Sequence, residues 1–475
     1  MLAGMNTTAA NLHAFARLAA FCGSALLLCM PPSAAAGPPP DLGPRIGALV
    51  REALAEDGAP SASVAVVLGG KPIFAAAYGL ARLTPRTPAT PHTRYQLASL
   101  SKTFTAEAAL RLEADGKLSL DDKVSRWLPD LPAADRATVR QLLSHTAGFP
   151  DHYPQTYPAG PRGRPTTPDA IIAEWGRHPL LFAPGDRFRY SNLNYLIAGR
   201  IVEKASGEPL FTFLQRRVFA PLGMDDTVDL DMTDARTPRL ATGYVRDGLS
   251  PLRPAPAEGA GWSFGAGQVV TSAADLARWD AAFLARKLLD PRRTDEEVTP
   301  PTLADGSRSP YALGLFISSR GGRRIYYHSG QGLGFLTLNR IYPAEQAAVV
   351  VLTNDSSSLA FQHIADRIAH LILPPTPAEA EAEAIFTGLQ QGRPDRSRFS
   401  EDLDAYFDRG RVTRLAESLR PLGPLKSLAL RSEDITDGLT TRTFDAAAGR
   451  KRLTITIQIL ADGRIESFDL RQTAS

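Results

Sequence analysis

Cysteine is almost missing from this sequence: there are two in 475 residues, Cys22 and Cys29. Both sit in an N-terminal stretch with the make-up of a removable export signal, so the mature chain can form no disulfide, hold no thiolate-bound metal and use no thiol nucleophile. An excess of one charge is also missing. The formal net charge is +3, with arginines scattered rather than gathered in a basic run, which leaves no electrostatic case for a nucleic-acid partner. Long apolar runs are lacking. The run Leu18 to Met30 falls below the roughly 18 residues of a spanning helix and no later run approaches that length, so no transmembrane segment is expected in the mature chain. His145, His152, His178, His363 and His370 show no metal-ligand spacing, and no glycine-rich loop with lysine is present to cradle a phosphate. Neither a metal nor a cofactor is expected.

Arg17, the apolar run after it and the small residues Ala34-Ala35-Ala36 follow the order of a secretory signal over residues 1–36, which predicts a periplasmic or secreted product. Cys29 follows Leu28, where a lipid-anchored chain carries a small residue, and this argues against lipoprotein anchoring. Hydrophobic residues make up 44% and charged residues 22%, the balance of a soluble globular protein, and the length calls for more than one domain. Leu373-Pro374-Pro375-Thr376-Pro377, followed by alternating Glu and Ala to Ala384, is a break in composition. We expect a main domain over residues 41–373, a linker over 374–384 and a small accessory α+β domain over 385–475.

Ser61 to Leu68 and Ile73 to Tyr78, joined through Gly69-Gly70, read as a β-hairpin. Apolar residues recur at helical spacing from Leu100 to Leu112, which sets Ser99 at a helix start. Further helices are expected at Thr138–Leu143, Asn194–Ala205 and Ala273–Leu284, and strands at Ile325–Tyr327, Leu333–Tyr342 and Ala347–Leu352. The fold class is therefore mixed α and β.

Ser99-Leu100-Ser101-Lys102 is the only Ser-x-x-Lys in the chain. On a helix, residues three apart share a face, so the hydroxyl and the ammonium can meet. A serine attacks only when a neighbour takes its proton, and lysine can do so once burial or a nearby cation lowers its pKa. Tyr190-Ser191-Asn192 stands between the loop Pro184-Gly185-Asp186 and the helix expected from Asn194. A tyrosine there can share the serine proton, and Asn192 can hold a substrate carbonyl and Lys102 through its amide. His328-Ser329-Gly330 closes the strand expected at Ile325–Tyr327, where glycine would let a ligand lie along the strand edge. Each motif alone has a bland reading: an N-cap serine, a structural Tyr-x-Asn, a surface histidine in a turn.

In this order the three motifs resemble those of the penicillin-recognising serine hydrolases, among them class C β-lactamases, family VIII esterases and D-aminopeptidases. Leu142 to Gly148 and Ala266 to Leu276 look like further segments of that family, and the resemblance runs from about Leu42 to Leu373. It implies an antiparallel sheet flanked by helices, with a helical subdomain. By position it makes Ser99 the nucleophile, Lys102 and Tyr190 the acid and base pair, and Asn192, His328, Ser329 and Gly330 the substrate-binding residues. The oxyanion hole falls to the backbone N–H groups of Ser99 and Gln331. Many β-lactamases have lysine where this chain has His328, and a mostly neutral histidine holds a carboxylate less well. The expected activity is thus hydrolysis of a small ester, amide or D-peptide through an acyl-enzyme, with a cell-wall polymer as a further partner. The alternative is a sensor or peptidoglycan-binding protein of the same fold that is acylated and does not turn over. Gly261-Trp262-Ser263-Phe264-Gly265 matches the Gly-x-Ser-x-Gly elbow, but no buried strand precedes it and no helix follows at once, so it is read as coincidental.

Overall fold

The computed structural model describes residues 41–153, 161–234, 237–320, 322–436 and 438–473. The expected signal segment and both cysteines lie outside them. Among the described residues, no helix is long and apolar enough to cross a membrane.

A seven-stranded antiparallel sheet forms the centre, in the spatial order Thr87–Pro88, Lys71–Arg82, Ser61–Leu68, Ala347–Thr353, Phe335–Tyr342, Arg323–Gly332, Phe316–Arg320. The first hairpin turns through Gly69 and Gly70, both with positive φ (59° and 71°), the conformation a two-residue turn needs and glycine adopts freely. Because side chains alternate along a strand, Ser61–Leu68 serves two cores. Val64 and Val66 pack with Ile46 and Val50 of helix Leu42–Asp57 and with Ile364 and Ile368 of helix Ala360–Ile372. Ala65 and Val67 face Leu276, Trp279 and Phe283 of helix Ala273–Leu284. A helical subdomain continues the second core through Lys102–Ala114, Val139–Leu143 and Asn192–Ser206.

The expected elements differ from the observed ones mainly at their ends. Ser99 lies in a 3-10 turn, Ala98–Ser101, and the α-helix begins at Lys102. Asn192 opens its own helix instead of preceding it. The strand expected to end at Tyr327 runs on to Gly332, through His328, Ser329 and Gly330. Its inner edge stays paired with Phe335–Tyr342, so the ladder carries the strand past the glycine.

Residues 374–384, expected as a linker, hold the start of helix Pro377–Gln391. Thr376 and Glu379 form a capping box, proline occupies the first turn where its missing N–H costs nothing, and the Glu-Ala alternation is a helix former. That helix packs with Glu401–Tyr406, Arg409–Leu419 and a four-stranded antiparallel sheet, Leu425–Thr436, Leu439–Ala448, Lys451–Ile459 and Ile465–Gln472. Phe386, Phe407, Phe444, Ile455 and Ile457 form its core. Ion pairs join this layer to the main sheet and its helices: Lys426 with Glu52, Arg452 with Asp57 (2.7 Å), and Arg323 with Glu379 (3.5 Å).

Candidate active site

Ser99 is aimed by its turn. Ala98 takes φ of +49°, a region that costs a non-glycine residue about 1 kcal/mol or more. The contacts around it hold that conformation. Thr337 Oγ1 donates to the Leu97 carbonyl at 2.9 Å. Leu97 N–H donates to Val269 O at 2.9 Å, and Val269 N–H donates to Ser101 Oγ at 3.0 Å. Thr105 Oγ1 donates to Gly265 O at 2.7 Å, fixing the turn Gly265-Ala266-Gly267 against the same helix.

Lys102 is fully buried. Its Nζ donates to Ser99 Oγ at 3.0 Å, to Asn192 Oδ1 at 2.8 Å and to Ala266 O at 2.9 Å, which engages all three donors of an ammonium. Burial pushes its pKa down to about 7, with the Asp151 carboxylate working in the opposite direction. Tyr190 faces the same point. Burial pushes its phenol up, an effect that the nearby Ser99 hydroxyl offsets in part. Its hydroxyl is shut off from water and forms no hydrogen bond of ordinary geometry among the described residues. The Lys102 nitrogen lies 5.0 Å from the centre of the Tyr190 ring. Near pH 7 ammonium and neutral amine are comparably populated beside a neutral phenol, and ammonium beside tyrosinate is disfavoured.

Asn192 is held from behind by a residue that sequence reasoning missed. Asp151 accepts from the Asn192 backbone N–H at 2.9 Å and from Asn192 Nδ2 at 3.1 Å. That fixes the amide flip, so that Oδ1 faces Lys102. Burial raises the Asp151 pKa against the N–H groups of Tyr153 and Asn192 and the charge of Lys102. The only signal in the sequence was the carboxylate itself, three residues beyond the Leu142–Gly148 segment. His145 of that segment is fully buried with its ring centre 4.2 Å from that of Tyr190, and its Nδ1 accepts from Ser191 N–H at 3.3 Å.

His328 is 2% exposed, and burial, then the nearness of Lys102, pushes its pKa down to about 3. A neutral imidazole has one N–H. Its Nδ1 lies 2.6 Å from the Ser329 carbonyl, which can only accept, so Nε2 accepts from the Tyr311 hydroxyl at 2.9 Å. Tyr311 sits in a loop without pattern, and no sequence signal pointed to it. Gly330 is required for a reason different from ligand access. A Cβ there would lie 1.9 Å from the Leu97 carbonyl oxygen and 2.4 Å from Thr337 Oγ1. The glycine lets the strand close on the turn that carries Ser99.

From His328 to Gly332 the outer edge of this strand has no strand partner among the described residues, pairing with Phe316–Arg320 having ended at Tyr327. That edge borders a cleft of about 600 Å³. Ser99, Tyr190, Asn192, His328, Ser329 and Gln331 line it, with Lys102 and Gly330 behind the lining. Tyr153, Arg162, Trp262 and Ser263 form another wall, which sequence reasoning did not assign to the site. Ser263 is in no elbow: residues 260–267 are turns, and its hydroxyl donates to Glu258 Oε2 at 2.6 Å.

Residues 46–373 match the beta-lactamase family. Penicillin-binding protein 4* of Bacillus subtilis (strain 168) is 28% identical over 358 residues, covering 71% of this chain and 79% of that protein. The D-amino acid amidase of Ochrobactrum anthropi SV3, solved with L-phenylalanine amide, is 28% identical with a TM-score of 0.59, covering 68% of this chain and 95% of that one. The octameric penicillin-binding protein homologue of Pyrococcus abyssi shares the fold at 21% identity and a TM-score of 0.59. That match covers 90% of this chain and 98% of that one, and so runs beyond residue 373. Sheet, helical subdomain and family match agree: this chain belongs to the beta-lactamase family of serine hydrolases.

Proposed function

We propose that the protein hydrolyses ester or amide bonds of small substrates, D-amino-acid amides and peptides included, through an acyl-enzyme on Ser99. The observation that carries this reading is the Lys102 amine, buried against Ser99 Oγ with a pKa near 7. Neutral Lys102 takes the hydroxyl proton as Oγ bonds to the carbonyl carbon. The charge on the carbonyl oxygen is met by the backbone N–H groups of Ser99 and Gln331, and one such donor is worth about 3 kcal/mol in the transition state. Asn192 orients the substrate carbonyl and Lys102. Tyr190 hands its phenol proton to the leaving amine or alkoxide and regains one from the Lys102 ammonium. The ester on Ser99 is then cleaved by water, whose proton returns along the same groups. An amidase relative supports amide substrates. Export to the periplasm or beyond the cell rests on residues 17–36 of the sequence, and a cell-wall polymer is the natural macromolecular partner for an exported D-peptidase.

The test is turnover of 4-nitrophenyl esters and D-alanyl amides by the full chain. Steady release of product, lost in Ser99→Ala with folding intact, is the expected result. A single burst equal to the enzyme concentration would mean a protein that is acylated and stays so. Activity that survived Ser99→Ala would remove the assignment altogether.

A further inference from the structure

Arg162 takes no part in the chemistry above, yet it lines the same cleft. It is 6% exposed, and its guanidinium carbon lies 3.4 Å from the centre of the Tyr153 ring and 6.0 Å from that of Trp262. A guanidinium packed against a ring keeps its donors in its own plane, free for a planar acceptor. None is used: the Arg162 side chain makes no ion pair or hydrogen bond among the described residues, and Nη2 is closed off from water as well. The acids nearby are otherwise engaged. Glu258 accepts from Ser263 Oγ at 2.6 Å and from the Tyr153 hydroxyl at 3.4 Å, and Asp231 accepts from Gly261 N–H at 2.9 Å. Arg189, exposed on the cleft, also has no carboxylate partner among the described residues.

Arg162 and Glu258 feel each other's charge, but among the described residues no carboxylate reaches ion-pair distance of the guanidinium, and a buried cation with unused donors is relieved when a ligand brings an acceptor to them. The strand wall cannot do this work, since both ring nitrogens of His328 are engaged and the ring is neutral. We infer that Arg162 is the receptor for a carboxylate on the substrate, so that the cleft takes anionic substrates in preference to neutral ones of the same size. The turnover part of this inference rests on the Ser99 reading; the binding part does not.

The full chain is assayed with two matched pairs: the 4-nitrophenyl monoester of glutarate against 4-nitrophenyl valerate, and 3-carboxyphenyl acetate against phenyl acetate. The pairs put the carboxylate on the acyl or the leaving side. In one pair Arg162→Gln lowers kcat/KM for the anionic ester by about 10-fold or more, the worth of a charge-assisted hydrogen bond, and changes the neutral ester by less than about 2-fold. Arg162→Lys, which keeps the charge and packs similarly, restores part of the loss. Equal losses on both members of each pair, or none, overturn the inference. Independently of turnover, Ser99→Ala protein is titrated calorimetrically with the two anionic esters. If neither binds, or if binding is unchanged in Ser99→Ala/Arg162→Gln, the carboxylate receptor is wrong. Arg162-dependent binding without turnover by the wild type would instead refute the hydrolase reading and leave the receptor standing.

Discussion

Gly330→Ala isolates the contact between the cleft strand and the Ser99 turn. The new methyl would start 1.9 Å from the Leu97 carbonyl oxygen and 2.4 Å from Thr337 Oγ1, against the 3.4 Å or more of an ordinary contact. The nearer atom is backbone, tied on both sides by hydrogen bonds from Thr337 and to Val269, so it cannot swing away. Relief requires the strand and the turn to part by more than an ångström. Overpacking of this kind costs about 1–3 kcal/mol, and loss of the Thr337 hydrogen bond adds about 1 kcal/mol. The larger effect is on rate. Displacing Ser99 by about 1 Å from Lys102 costs roughly 100-fold in turnover. Urea titration by circular dichroism and 4-nitrophenyl ester turnover read the two losses. Gly116→Ala is the control: its φ is +69° but nothing lies within 4 Å, so it should cost about 1 kcal/mol of strain and leave turnover unchanged. If Gly330→Ala lost no more stability than the control and kept its rate, the closure argument would be refuted.

In the proposed mechanism Lys102 is a base only when neutral, so kcat/KM should rise with pH through about 7. Asp151 stabilises the ammonium form, and Asp151→Asn should therefore move that limb to lower pH; a pH profile unchanged in the variant would detach Asp151 from Lys102. Tyr190→Phe should cut kcat most for poor leaving groups, by about 100-fold or more, and least for 4-nitrophenolate, which needs no proton; an equal effect on amides and activated esters would deny Tyr190 its role as acid. Tyr311→Phe leaves His328 Nε2 as a buried acceptor without a donor, which should cost about 1–3 kcal/mol in a urea titration; a neutral result would mean that the imidazole turns to another partner. Truncation after Leu373 removes Lys426 and Arg452, the partners of Glu52 and Asp57. These pairs are only partly exposed, and each is worth on the order of 1 kcal/mol, so the remainder should fold and keep ester hydrolysis; an insoluble or inactive product would make the C-terminal layer part of the catalytic body.

What the sequence revealed followed from local rules. Ser99 and Lys102 are three apart on one turn, so their meeting was legible without the fold. The hairpin at Gly69-Gly70 and the helix Ala273–Leu284 were legible from turn chemistry and period. The ends of elements were not, because tertiary contacts decide them. The ladder to Phe335–Tyr342 carries the strand through Gly330, which local propensity would end there. Within residues 374–384, expected as a linker, a helix begins at Pro377, where proline and an upstream threonine start a helix as readily as they mark a boundary. Asp151, Tyr311 and Arg162 could not be found at all: each belongs to the site through a neighbour distant in sequence, Asn192, His328 or the cleft wall.

The charges around Ser99 suit the proposed role of one lysine as the base. Burial drives His145 and His328 down and Tyr190, Tyr195 and Tyr311 up, so all five are neutral near pH 7. That leaves Lys102 as the group beside the serine that changes charge there, with the Asp151 carboxyl raised from its ordinary value by its own burial. A lysine at the position of His328, as many β-lactamases have, would add a cation that lowers Lys102 further while holding a substrate carboxylate. Neutral His328 separates those two tasks. The proton affinity of Lys102 is then set by burial and by Asp151, and any positive charge for substrate has to come from elsewhere in the cleft. Arg162 and Arg189 are cations there with no carboxylate at ion-pair distance among the described residues. Such an arrangement lets substrate charge be selected without altering the proton affinity of the base. The pH limb of kcat/KM in Arg162→Gln should accordingly match that of the wild type for a neutral ester.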